Sequence, residues 1–357
     1  MAADQPGASP APALAAAAER AGGPAAGARA WLWGTVALTA GAMAVAVALA
    51  PPAGAPAGPA LAYLLFVGSS AHVAATAWFY TVPPVRGQVG RHRARYLWVP
   101  LALIIGASAA AALLPPAALN GLLLPYFGWQ FFHYQKQNLG LASLAASAYR
   151  VAGLRPAERR VLLAAGLAGI AGLLARPRLL QLPARPGLAA AWPLAASGFA
   201  AAVVAGLVLL ARRPADQRPP GFCAAYLSAL GFSLPVFLFR SPYAAVAGMT
   251  IAHGLQYVLM VGLVAAGQPG PGRSRTGTLT SLAVLGNVAL AGGAGLAAAS
   301  GLQEARPAVR LLYGAFLGAV MAHFVVDAGL WRLREPFPRA FLAARVPYLV
   351  PGRRPAP

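Results

Sequence analysis

Apolar residues fall along this chain in long blocks, separated by short connections rich in proline, glycine and arginine. A helix needs about 20 apolar residues to cross a bilayer. Ten blocks approach that length: 31–50, 59–82, 96–114, 117–135, 159–175, 188–211, 221–239, 243–266, 278–300 and 309–331. The pattern predicts an all-α fold, a polytopic membrane bundle of about ten transmembrane helices spanning 30–335. Residues 1–29, rich in Ala, Pro and Gly, are expected as a disordered tail, and 336–357 as a Pro/Arg-rich cytoplasmic tail. The fifth block is short and glycine-rich. Pro125 and Pro235 lie inside blocks and are expected to kink them, which a bundle tolerates when neighbours satisfy the freed carbonyls.

Composition agrees with the pattern. Of 357 residues, 59% are hydrophobic and 10% charged, far from the quarter charged of a soluble domain. The net charge of +21 suggests nucleic acid at first sight, but the basic residues lie mainly in connections between blocks. Counted on alternate sides, 22 of the 28 fall with the two termini. Under the positive-inside rule this places both termini in the cytoplasm, of a bacterial plasma membrane, and favours an even number of spans. Membrane topology thus accounts for the charge, and no nucleic-acid partner is expected. Cys223 is the only cysteine, which excludes an intrachain disulfide and any CxxC site.

Four histidines interrupt the apolar blocks: His72, His133, His253 and His323. Each is followed four positions later by a hydrogen-bonding residue, Thr76, Gln137, Tyr257 and Asp327, on the same helix face. All four lie on even-numbered blocks, so their helices run in one direction and the imidazoles can meet at similar depth. His133 falls nearer the cytoplasmic end unless its helix continues past Lys136 towards Ala148. Asp327 is the only acid inside any block, and ionisable groups at membrane depth mark functional sites. It is expected to serve His323 or to pair with Arg332 or Arg334. A faint repeat, with histidines on the second and fourth helices of blocks 1–4 and 7–10, suggests two parallel four-helix units.

Imidazoles, one carboxylate and amides suit non-haem iron, with manganese, zinc or copper(II) as alternatives. The expected ligands are His72, His133, His253 and His323. Asp327 and Tyr257 are the expected catalytic side chains, and Gln137 and Gln256 are expected to bind around the cofactor. HExxH, P-loop, GxSxG and GxGxxG motifs are absent, as are the clustered histidine boxes of membrane desaturases. Single histidines on separate spans are similar, in general pattern and without a motif matching residue by residue, to the Brp/Blh type of membrane carotene-cleaving dioxygenase. That resemblance implies iron held by dispersed histidines. The leading expectation is an iron-dependent oxygenase or other oxidoreductase acting on an isoprenoid or acyl substrate. A proton-coupled transporter using His/Asp relays, or a structural membrane protein, would use the same residues differently.

Overall fold

The computed structural model describes residues 24–52, 54–267, 275–301 and 306–350, and everything below concerns these. They form a helical bundle without strands. We number the main helices α1 (Pro24–Ala48), α2 (Pro59–Thr81), α3 (Ala94–Leu113), α4 (Pro116–Ala148), α5 (Pro156–Ala175), α6 (Gly187–Ala211), α7 (Pro220–Gly231), α8 (Tyr243–Ala266), α9 (Arg275–Ser300), α10 (Pro307–Leu330) and α11 (Pro336–Arg345). Proline opens many of them, at positions 59, 116, 156, 220, 307 and 336. Its missing N–H costs nothing in a first turn and its fixed φ suits one, so the same residue that ends each connection starts the next helix.

Helix covers each of the ten apolar blocks. Seven helices are long and apolar enough to cross a membrane: α1, α2, α3, α6, α8, α9 and α10. The protein is therefore an integral membrane helix bundle. The other three depart for visible reasons. Helix α4 carries a polar stretch in its middle. Charged Glu158, Arg159 and Arg160 occupy the start of α5. Helix α7 stops at Gly231, and a separate short helix resumes at Leu234–Leu238. That break coincides with Pro235, whereas Pro125 sits inside an unbroken α4.

Two segments expected as tails are partly helical. Helix α1 starts at Pro24, inside the stretch read as an N-terminal tail, and α11 occupies Pro336–Arg345. Residues 1–23 and 351–357 lie outside the described residues. The suggested two-unit repeat does not govern the packing, because the tight pairs α1–α8 and α3–α10 run between the two halves.

Glycine sets how closely helices approach. A Cβ on Gly314 or Gly318 of α10 would overlap the α3 backbone at Ala107–Ser108 or Leu103–Ile104. In α5, Gly166, Gly169 and Gly172 seat Gln135, Ser233 and Phe237 respectively. Small residues let membrane helices pack backbone against backbone. The short, glycine-rich fifth block is thus a helix packed tightly along one face, with Leu167 exposed on the other.

Outside the apolar blocks, one ion pair fastens the loops beside α5. Arg213 clamps Glu158 through Nε and Nη2, each 2.6 Å from a carboxylate oxygen, and donates to the Ala152 and Gly153 carbonyls. Both side chains are sealed from solvent. Burial by itself pushes the Glu158 carboxyl up; the Arg213 bonds and the Arg155 backbone N–H outweigh it and hold it below its ordinary value. Breaking a buried pair by removing one partner typically costs about 3–5 kcal/mol, so Glu158→Gln should lower the melting temperature clearly. The sign of the pH effect follows from the lowered value. The pair's contribution is complete above the unfolded carboxyl value of about 4.3 and is lost as pH falls through the lower folded value. Melting curves of wild type and Glu158→Gln should therefore converge in acid. Curves that stay parallel down to low pH would contradict this account of the pair.

Candidate metal centre

The three most buried of the seven apolar helices carry histidines. In α8, α10 and α2, 67%, 56% and 50% of an apolar 18-residue stretch is buried, against 17–33% for the other four. Helix α4 supplies the fourth histidine and runs unbroken to Ala148, so His133 sits mid-helix, level with the others. Helix α2 is irregular where it meets the site. A π-turn over Val67–Ala71 leads into one α-turn, His72–Ala75, and then into a 3-10 segment, Thr76–Thr81. Such changes of winding inside a helix often mark functional positions.

The four imidazoles form a ring. Centroid separations are 4.9 Å for His72–His253, 5.0 Å for His253–His133, 5.1 Å for His133–His323 and 5.0 Å for His323–His72. The His253–His323 diagonal is 6.4 Å. Tyr134 stacks on His253 at 4.0 Å and Phe324 on His133 at 4.5 Å, fixing both rings from outside.

Asp327 completes the donor set. Its Oδ2 lies 3.5 Å from His323 Nε2 and 3.9 Å from His133 Nε2. Neither nitrogen has a hydrogen-bond partner, and in His72 and His253 both ring nitrogens lack one. Buried polar atoms are almost always paired, so an unpaired nitrogen on each of four clustered rings calls for a shared ligand. Two trios could hold a metal ion, His72–His253–His323 and His133–His323–Asp327. His323 belongs to both, and its Nδ1 is taken by Thr76 at 2.6 Å, so only one nitrogen lone pair remains.

The polar residues four positions after His72, His133 and His253 serve neighbouring helices, whereas Asp327 stays beside His323 on its own helix. Thr76 bonds His323, not His72, and also the Tyr257 hydroxyl at 2.8 Å. Tyr257 donates to Asp327 Oδ1 at 3.0 Å. Gln137 donates to the His253 carbonyl and to Gln256, and Gln256 donates to Thr39 and Asn138. The two glutamines therefore stand behind His253 as a brace, with their amides committed to each other and to the backbone. Arg332 pairs with Glu335 and leaves Asp327 to the histidines. Sequence reasoning gave no weight to Tyr134 and Phe324 as ring supports, or to Thr39. Only the aromatic flanks of His133 and His323 hinted at the first two.

Set against protein-family models, curated proteins and solved structures, the chain matches none of them.

Proposed function

We propose that this protein is an intramembrane metalloenzyme, an oxidoreductase of oxygenase type that takes a lipophilic isoprenoid or acyl substrate from the bilayer. The observation that carries this reading is the clustering of four imidazoles and one carboxylate, from four helices, in two overlapping trios that share His323 inside an apolar bundle. Nitrogen and oxygen donors of this kind suit iron, which supplies O₂ chemistry when a coordination position stays open. His72, His133, His253 and His323 would hold it, with Asp327 as the oxygen donor beside His133 and His323. A proton relay fits the arrangement less well, because neither ring nitrogen of His72 or His253 is linked to a hydrogen-bonded path.

The remaining residues bind, orient and exclude water. His72, His253 and His323 are at most 3% exposed, whereas the His133 side chain is 11% exposed. Trp129 and Phe132, on the same helix, face outward. A substrate dissolved in the bilayer would approach along this edge, between α4 and α10. All ten apolar blocks cross the membrane in this reading, the seventh as α7 together with the short helix Leu234–Leu238, with both termini cytoplasmic as the arginine distribution directs. Gln135 of α4 is met inside the bundle by the Leu162 and Ala229 carbonyls, as membrane depth requires.

The test is reconstitution. Detergent-purified protein loaded anaerobically with ferrous iron should retain a single iron per chain after desalting. It should then consume O₂ when given a polyene or an unsaturated acyl lipid. Wild-type protein that keeps no iron, manganese, zinc or copper after loading would overturn the metalloenzyme reading.

A further inference from the structure

Resting on the metal-centre reading, we infer that Thr76 is the positioning residue that selects the metal-binding tautomer of His323, acting through a hydrogen-bond chain that ends on Asp327. The argument is a count of protons. The Tyr257 hydroxyl donates to Asp327 Oδ1 at 3.0 Å. A phenol has one proton, so in the Thr76–Tyr257 bond of 2.8 Å Tyr257 accepts and Thr76 donates. Threonine also has one hydroxyl proton. In the Thr76–His323 bond of 2.6 Å it must therefore accept, and His323 Nδ1 carries the hydrogen. A neutral imidazole has one N–H, so His323 Nε2 is left with its lone pair. That is the atom 3.5 Å from Asp327 Oδ2 and without a hydrogen-bond partner.

The chain thus does two things at once. It points the His323 Nε2 lone pair into the ring, and it turns Asp327 so that Oδ1 is occupied and Oδ2 is presented to the same point. Two acceptors facing each other at that distance repel unless a cation lies between them, so the tautomer and the ion support each other. Three helices, α2, α8 and α10, contribute one link each. Ligand imidazoles commonly have their other nitrogen fixed in this way, and loss of such a partner costs about 10–100-fold in metal affinity.

Cobalt(II) is the probe, with full-length protein in detergent, and three variants are compared with wild type for affinity, visible absorption spectrum and melting temperature. Thr76→Val keeps the shape and removes the acceptor, and should bind cobalt about ten-fold or more weakly with an altered spectrum, at an unchanged melting temperature without metal. Thr76→Ser should restore affinity and spectrum. Tyr257→Phe should also weaken binding although Thr76 is intact, because the threonine proton is then free to turn to Nδ1 and favour the wrong tautomer. A Thr76→Val protein with wild-type affinity and spectrum overturns the inference while leaving the metal centre standing. So does a Thr76→Ser protein as weak as Thr76→Val with an equally lowered melting temperature, which marks a packing role. Wild type that takes up no cobalt overturns the metal-centre reading and this inference with it.

Discussion

Replacing His323 by alanine is expected to abolish metal binding in a protein that still folds. His323 belongs to both trios of candidate ligands, sits 5.0 Å and 5.1 Å by ring centroid from His72 and His133, and is the point where the Thr76–Tyr257–Asp327 chain meets the site. Its removal takes away a donor and also frees Asp327 Oδ2 from its nearest neighbour. Asp327→Asn is the milder change. The amide keeps the shape and an acceptor for Tyr257, so the helix contacts survive, but the anionic oxygen is lost. Metal affinity should drop about ten-fold or more, as changes around metal ligands commonly cause. The alternative, a structural His–Asp contact, predicts the reverse order. Removing either partner would strand a polar group in an apolar interior, lower the melting temperature, and leave any bound metal at full occupancy. Metal analysis and melting curves on the same preparations separate the two. A folded, metal-replete Asp327→Asn protein with full activity would remove Asp327 from the chemistry.

The clustering of the histidines was more legible in the sequence than the packing. Isolated histidines in apolar runs signal cost, and cost in a membrane implies a partner; that reasoning is local and picked out His72, His133, His253 and His323 together. The similar depth of the four followed from the direction of even-numbered helices, and His133 joins the ring because α4 continues past Lys136, the condition that decided its place. What could not be read was which polar group serves which ring. Spacing of four residues places Thr76 beneath His72 on an ideal helix, yet α2 changes winding on both sides of His72, and the hydroxyl reaches His323 instead. Such crossings depend on three-dimensional neighbours and leave no periodic trace. The count of crossing helices was hidden for a related reason. Polar residues in α4 and charged ones in α5 blur a hydropathy signal. Their partners, such as Leu162 for Gln135 and Arg213 for Glu158, lie far away along the chain.

Glycine at the α2–α8 crossing is expected to matter as much as any ligand. Gly68 and Gly254 meet backbone to backbone. A Cβ on Gly254 would overlap Gly68 itself, and one on Gly68 would stand 2.5 Å from Ile251 Cα. What must yield is main chain on either side, with no flexible side-chain end to move aside. Gly254 adjoins His253, and Gly68 lies one turn before His72, so the crossing also sets the 4.9 Å His72–His253 edge of the ring. Gly254→Ala should therefore force the helices apart. Overpacking usually costs about 1–3 kcal/mol, and more where the neighbour cannot shift. Metal affinity should fall along with the melting temperature. Gly262→Ala, two turns further along α8, is the control. Nothing stands within 4 Å of a Cβ there, and alanine's better helix propensity, up to about 1 kcal/mol, should leave stability equal or raised. If Gly254→Ala melts and binds metal like Gly262→Ala, the close crossing does not set the ring, and the distance between the two histidines must be held by the braces behind them, Tyr134 and the Gln137–Gln256 pair.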